Sequence, residues 1–301
     1  MDNVGFIGIG TMGTEMAGNI QVAGYPMVVY DVREEATKSL LEGGARLASS
    51  PAEVASLSDV VFTSVPGPKE VEDAATGPGG ELEGIKEGGI YLDLSTVGPS
   101  LTRRLEPMFR QKGAYMLDAP VLNGPAGPGK KDGFTVLVGG DREIYERVLP
   151  ILESFADHPM YCGGLGMGLA CKLVNNMMAF GMGQIIAEAL TLGIKAGVDL
   201  DTLMESGSGG VFGSRRRGLE RTVFSGDFDT PSFTLALALK DVSLANEMAR
   251  DVRVPMPMTN LAEQLLIQCM NRGWAGKDFT VAFRLQEEAA GVEVRDPKLE
   301  Q

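Results

Sequence analysis

One lysine and two asparagines stand close together in the run Gly166-Met167-Gly168-Leu169-Ala170-Cys171-Lys172-Leu173-Val174-Asn175-Asn176. On a helix, Asn175 and Asn176 follow Lys172 by three and four positions, so the three side chains share one face. An ammonium group and two amides near the start of an otherwise apolar helix need polar partners. A lysine stripped of water there can take or give a proton, because desolvation disfavours its charged form. The amides can hold a carboxylate or a hydroxyl. Alternatively, all three groups can satisfy neighbouring backbone, and the cluster alone does not decide between these readings.

A second group is built from glycines. Gly8-x-Gly10-x-x-Gly13 spans the end of the apolar run Val4–Gly10 and the start of a helical segment, Thr11–Val22. This is the setting a dinucleotide-binding turn requires. Gly8 permits the tight turn, Gly10 lets backbone approach a pyrophosphate, and Gly13 lets helix and strand pack closely. The helix start, with Thr11 and Met12, then turns its positive dipole end to the phosphates. Asp31 ends the next strand, 18 residues after Gly13, where a carboxylate can bond the adenosine ribose hydroxyls. The bland alternative is that Asp31 caps the following helix. A carboxylate here repels a 2′-phosphate, so NAD is favoured over NADP, although Arg33 two residues on keeps NADP open.

Strands and helices alternate around these groups. Asp59–Pro66 reads as a strand whose carboxyl end, at Val65 and Pro66, lies on the cofactor edge of a doubly wound sheet. Gly89–Leu94 is another strand, followed by Ser95 and Thr96. Thr96 either contacts cofactor and substrate or caps the helix that Pro99 opens. Tyr115–Val121 is a strand that runs into the Gly- and Pro-rich loop from Leu122 to Gly129. Phe134–Val138, Arg142–Phe155 and Pro159–Cys162 complete an α/β half. The second half shows only helical periodicity. The expected organisation is a Rossmann-type α/β domain over 1–163 and an all-helical domain over 164–301. A long helix at about 168–194 joins them, and Val292–Gln301 reads as a loose polar tail. A helix apolar on most faces must be buried on most faces, so a second domain or a second subunit should wrap it, and a homodimer or homotetramer is expected.

Composition bounds the rest. The chain has 301 residues, 44% hydrophobic, with a net charge of −13. That field repels polyanions, so nucleic acid is not an expected partner. Three unframed cysteines and one histidine, His158, speak against a structural zinc site and fit a reducing, cytoplasmic setting. No secretion signal is read at the N-terminus. The longest charge-free apolar stretch, Leu173–Ala187, is too short and polar for a bilayer, so no membrane is expected.

Five segments in order resemble the β-hydroxyacid dehydrogenases, the family of 3-hydroxyisobutyrate dehydrogenases and tartronate semialdehyde reductases, with 6-phosphogluconate dehydrogenases more distant. They are Gly5–Gly13, Asp93-Leu94-Ser95-Thr96, Asp118-Ala119-Pro120-Val121, Gly166–Asn176 and Leu239-Lys240-Asp241-Val242-Ser243-Leu244-Ala245. The resemblance covers nearly the whole chain. It implies reversible hydride transfer between a nicotinamide cofactor and a small 3-hydroxy acid or its semialdehyde, without metal. It implies Lys172 as catalytic acid/base, Asn176 as substrate holder, Thr96 beside nicotinamide and substrate, and Lys240 reaching the cofactor and active site. Where the family usually has Ser-Gly-Gly to hold the substrate carboxylate, this chain has Leu122-Asn123-Gly124. Leu122 lacks a hydroxyl, so Asn123 or the backbone around Gly124 must serve, and the acid can differ from the family's usual one. An imine reductase of the same architecture is the alternative enzyme, but those usually lack the catalytic lysine. A non-catalytic nucleotide-binding protein is the alternative outside catalysis.

Overall fold

In a computed structural model the described residues are 1–122 and 134–299. They divide into two compact units, Met1–Lys172 and the residues from Leu173 onward.

The first unit is a doubly wound sheet. Its elements run β1 (Val4–Ile7), α1 (Thr11–Val22), β2 (Met27–Tyr30), a 3₁₀ turn (Glu34–Thr37) with α2 (Lys38–Glu42), β3 (Arg46–Leu47), α3 (Pro51–Leu57), β4 (Val60–Thr63), α4 (Pro68–Thr76), α5 (Glu81–Gly84), β5 (Ile90–Asp93), α6 (Pro99–Gln111), β6 (Tyr115–Asp118), β7 (Val121–Leu122), β8 (Thr135–Gly139), α7 (Arg142–Phe155) and β9 (His158–Gly163). Among the described residues the strand order is β3-β2-β1-β4-β5-β6-β8-β7, with β9 on β8. The strands from β3 to β6 pair in parallel, β8 meets β6 and β7 antiparallel, and β9 returns parallel to β8. Central parallel strands are covered on both faces, which is why β1 and β4 are unbroken buried runs. One face packs on α1 and α7 through Ile20, Val148 and Phe155, the other on α3 to α6 through Val54, Leu105 and Phe109. The order reverses between β1 and β4, the switch point where ligands bind in such sheets.

The helix α8 (Met167–Lys195) begins in this unit and continues into the second. Composition alone places the domain break near residue 163, ahead of it. The structure divides the chain inside it, because its first turns are bonded to the sheet by Asp118.

The second unit is helical. After α8 come α9 (Leu200–Ser206), α10 (Val211–Leu219) with a π turn (Glu220–Phe224), α11 (Leu235–Asp251), α12 (Pro257–Asn271), a 3₁₀ turn (Phe279–Ala282) and α13 (Phe283–Ala290). Phe180, Leu190, Phe224, Leu235, Val242, Leu266 and Phe283 form its core. Phe180 stacks on Phe233 at 5.5 Å between ring centroids, so Phe233 packs in this core.

Two expectations need correction. The segment after α13 is not a loose tail over its described length. Val294 is fully buried, Arg295 Nη1 donates to Glu287 Oε1 at 2.6 Å and to the Val223 carbonyl at 3.0 Å, and the Asp296 amide donates to the Phe224 carbonyl. A single apolar contact and a buried ion pair outweigh the polar composition that suggested looseness. Nor is α8 buried on most faces within this chain. Val174, Met178, Ile185 and Leu192 are exposed, spaced four, seven and seven residues apart on one face. The helix also has the length and composition of a membrane span. However, Lys172, Asn175, Asn176, Gln184 and Glu188 interrupt it, and Phe180, Ile186, Ala187 and Leu190 are buried in the helical core, as in a core helix of a folded domain.

Candidate active site

The glycine turn has the geometry its chemistry demands. Gly8 has φ of +88°, and a Cβ there would lie 2.2 Å from the Ser64 carbonyl oxygen. A Cβ on Gly13 would lie 2.0 Å from the Gly8 oxygen, so the first turn of α1 sits directly on the β1 loop. In front of Gly10, by contrast, nothing lies within 4 Å. That open backbone at the head of α1 fits a pyrophosphate, with the amides of Gly10 to Gly13 facing it. Thr11 is exposed there, Met12 half-buried and Gly13 buried.

Asp31 does more than end β2. Its Oδ2 accepts from the Ile9 amide at 2.7 Å and its Oδ1 from the Arg33 amide at 2.8 Å. The carboxylate therefore braces the glycine turn. The Arg33 guanidinium reaches it only at 3.7 Å and is largely exposed. Beside Asp31 a cavity of about 430 Å³ is lined by Tyr30, Asp31, Val32, Glu34, Leu47, Ala48, Ser49 and Glu53. Its ionisable lining is acidic apart from the Tyr30 phenol. Ser49 donates to Glu53 from both its amide and its hydroxyl, which holds the Glu53 carboxyl below the usual carboxylate range.

The next two strand ends are tied together by a residue to which the sequence assigned no role of its own. Ser95 Oγ accepts from the Val65 amide at 3.0 Å, and the Ser95 amide donates to Asp93 Oδ1 at 2.9 Å. Because Thr63 and Asp93 are register partners, Val65 and Thr96 leave β4 and β5 side by side. Pro66 is exposed and Thr96 half-buried at this edge.

Behind this edge lies a buried polar pocket. Thr63 Oγ1 donates to Glu81 Oε1 at 2.7 Å, while Glu81 Oε2 and Tyr91 Oη have no hydrogen-bond partner among the described residues. Burial pushes the Glu81 carboxyl well above its ordinary range, opposed by the Thr63 bond and reinforced by Asp93. Nothing in a Gly-rich loop marks a glutamate as buried. The sign of its effect is fixed: a carboxyl with a raised folded-state pKa contributes its full stability below the ordinary carboxylate range and loses it as pH rises. Glu81→Gln keeps an acceptor for Thr63 and removes that titration. Melting temperatures should then show the variant gaining on the parent from pH 5 to pH 8. A constant difference across that range would refute a buried titrating Glu81.

Asp118 organises the start of α8. It is fully buried at the end of β6, and its Oδ1 and Oδ2 accept from the amides of Gly166 (2.6 Å) and Leu169 (2.8 Å). Gly168 presses on β8, where a Cβ would lie 2.1 Å from the Leu137 oxygen. Gly166 turns the chain with φ of +87°. These contacts set Lys172, which is 9% exposed and donates from Nζ to the Val121 carbonyl at 2.6 Å. The amine thus stands beside β7, next to half-buried Leu122. Asn123 and Gly124 lie outside the described residues.

In the helical unit, Asn176 is 7% exposed and its Nδ2 donates to Asp241 Oδ2 at 2.6 Å, while its Oδ1 accepts from Asn175 at 3.2 Å. Asp241, 1% exposed, also pairs with Lys240 at 3.3 Å. Asp241 therefore orients an amide and an ammonium at once. It was visible in sequence only as a neighbour of Lys240. The run Arg215-Arg216-Arg217 lies on α10, where Arg216 Nε donates to Glu220 at 2.7 Å.

Comparison with known proteins agrees with this layout. Residues 3–164 match the family described as the NAD binding domain of 6-phosphogluconate dehydrogenase, and residues 166–286 that described as the NAD-binding domain of NADP-dependent 3-hydroxyisobutyrate dehydrogenase. The mitochondrial 3-hydroxyisobutyrate dehydrogenase of Mus musculus is 34% identical over 95% of this chain and 87% of its own length. The 2-(hydroxymethyl)glutarate dehydrogenase of Eubacterium barkeri is 33% identical over 97% of each. The solved 3-hydroxyisobutyrate dehydrogenase of Mycobacterium tuberculosis, described with L-serine, superposes with a TM-score of 0.83 at 26% identity, covering 95% of this chain and 99% of that one. An NAD(P)-binding sheet unit followed by a helical unit, with these similarities along nearly its whole length, makes the chain a member of the β-hydroxyacid dehydrogenase family and an NAD(P)-dependent oxidoreductase.

Proposed function

We propose that the chain interconverts a small 3-hydroxy acid and its semialdehyde, with NAD as the preferred cofactor and Lys172 as the general acid/base. The observation that carries this is the Lys172 amine, nearly buried and aimed by the Val121 carbonyl at 2.6 Å. A proton donor held this way at the start of β7 can serve the carbinol hydroxyl in oxidation and the carbonyl oxygen in reduction. The cofactor would rest on the amides of Gly10 to Gly13, on Asp31 and on the Val65-Pro66 and Thr96 edge; when bound it supplies the hydride acceptor or donor. Asn176, its amide fixed by Asp241, would hold the substrate, and Lys240 would reach the cofactor and active site. Both named relatives act on acids bearing a hydroxymethyl group, and the glutarate carries a second carboxylate, for which the α10 arginines are candidates.

The test is a panel of 3-hydroxy mono- and diacids, semialdehydes and imines, with NAD and with NADP, followed by absorbance of the reduced cofactor. No signal with any acid or semialdehyde overturns the reading, and signal with imines alone favours an imine reductase.

The acidic cavity beside Asp31 supports NAD. Removing a hydrogen bond to a charged group costs about 1.5–3 kcal/mol, so Asp31→Ser should lower kcat/KM for NAD about 10- to 100-fold and shift the ratio toward NADP. A parent enzyme that already prefers NADP contradicts the assignment. The exposed stripe Val174, Met178, Ile185 and Leu192 supports a homodimer or homotetramer, to be read by sedimentation. The setting we propose for it is a reducing one, the cytoplasm.

A further inference from the structure

We propose that Cys162 and Cys171 are a modification site, joined as a reversible disulfide when a peroxide reaches Cys171. Such a link fastens the first turns of α8 to β9 one residue ahead of Lys172.

The topology brings the two cysteines together. Gly163 and Gly166, with φ of +120° and +87°, fold the chain back from β9 into α8. Side chains alternate along β9. Tyr161 packs on Tyr145 of α7 at 5.4 Å, so Met160 points to the opposite sheet face, and Cys162 stands in the irregularity between the Tyr161–Val138 and Gly163–Gly139 pairs. The first turns of α8 lie on that opposite face, where Leu169 packs with Val97, Leu101 and Leu105. Gly168 rests on Leu137, the register partner of Met160. Cys171 follows Gly168 by three positions on the same side of the helix, and Cys162 follows Met160 by two.

The Cys171 thiol lies close enough to act on the ionisation of Cys162, whose Sγ donates to the Met160 carbonyl at 3.5 Å. Their environments divide the labour. Cys171 is exposed, and Cys162 is half-buried. Burial, with Cys171 and Asp118 adding to it, pushes the Cys162 thiol up to about 12. Cys171 is therefore the sulfur that peroxide meets and Cys162 the one that resolves it.

The chemistry balances. Cys171 sulfur attacks one peroxide oxygen; the S–O bond forms, the O–O bond breaks, and one water leaves with the Cys171 thiol proton. Cys162 sulfur then attacks the Cys171 sulfenic acid; the S–S bond forms, the S–O bond breaks, and a second water carries off the Cys162 thiol proton. Two thiols lose two electrons in all, and one peroxide becomes two waters. A dithiol reductant reverses the link, so in a reducing compartment it is transient.

The bond rests on the thiol geometry alone, while its effect on turnover rests also on the Lys172 reading. The full-length protein is treated with hydrogen peroxide, alkylated without reduction and digested. Expected is one cross-linked peptide pair holding Cys162 and Cys171, lost in Cys162→Ser and in Cys171→Ser and reversed by dithiothreitol. Turnover should fall by about tenfold or more as the Lys172 turn shifts, recover with dithiothreitol, and stay unchanged in Cys162→Ser. Cys171 oxidised to sulfinic acid with Cys162 still reduced overturns the site. A cross-link with unaltered turnover overturns its coupling to Lys172.

Discussion

Lys172→Ala should lower kcat by about a thousandfold and leave cofactor binding within a few-fold of the parent. The prediction follows from two separations in the structure. The glycine turn and Asp31 depend on Gly8, Gly13 and Ile9, none of which touches the amine. The amine is set instead by Val121 and by the α8 turns that Asp118 holds. Truncation leaves the Val121 carbonyl short of a donor, a loss of about 1–3 kcal/mol, so folding must be checked by melting temperature. Lys172→Arg separates chemistry from packing. Arginine keeps a cationic donor but does not release its proton. If Lys172 only fastens β7, the arginine variant recovers activity; if it moves the proton, both variants stay inactive while reduced-cofactor fluorescence still titrates. A kcat within tenfold of the parent in Lys172→Ala removes Lys172 from the reaction.

The parts of this molecule that were legible in sequence are those governed by local rules. The turn at Gly8 was readable because a left-handed residue followed by a close backbone approach requires glycine, and the structure has φ of +88° there. The doubly wound fold class was readable because helices and buried strands alternate at βαβ spacing. Short elements were not: β3 has two residues and α5 four, too few for any periodicity. Helix α4 was missed because Gly67-Pro68 reads as a turn, whereas Pro68 occupies its first turn.

Long-range partners escaped for a different reason. Asp118, Asp241 and Ser95 could each be seen as residues, but the groups they hold lie 48, 65 and 30 positions away. No local pattern encodes such a pairing. Glu81 was the most opaque, since charge and loop composition both argue for solvent and only tertiary packing puts it inside. The expectation that a second domain or a second subunit covers α8 is met only in part within this chain. Its apolar composition was read correctly, but the exposed stripe from Val174 to Leu192 is not covered by this chain.

The other large effect is expected at Asp118, where fold and chemistry meet. Both carboxylate oxygens accept amides from the start of α8, at 2.6 and 2.8 Å, and Gly139 and Gly168 are bare because a Cβ on either would lie within 3 Å of that carboxylate. Burial raises the Asp118 pKa, and the amides of Gly166 and Leu169 oppose the rise. Asp118→Asn preserves the shape and replaces one acceptor with a donor. That donor faces an amide N–H, so one hydrogen bond is lost and two donors are left opposed. Hydrogen bonds to a charged group are worth about 1.5–3 kcal/mol each, so the variant should lose about 3 kcal/mol and melt about 5 °C lower. Because the same amides set the register of Lys172, kcat should fall further than the cofactor affinity does. Rising pH works against the parent at this residue, since a raised carboxyl contributes most when protonated; the gap between parent and variant should therefore narrow as pH rises through the range just above the ordinary carboxylate pKa and stay constant beyond it. A melting temperature within about 1 °C of the parent, less than 1 kcal/mol at this size, would show that α8 is held by Gly168 and Leu169 packing rather than by Asp118.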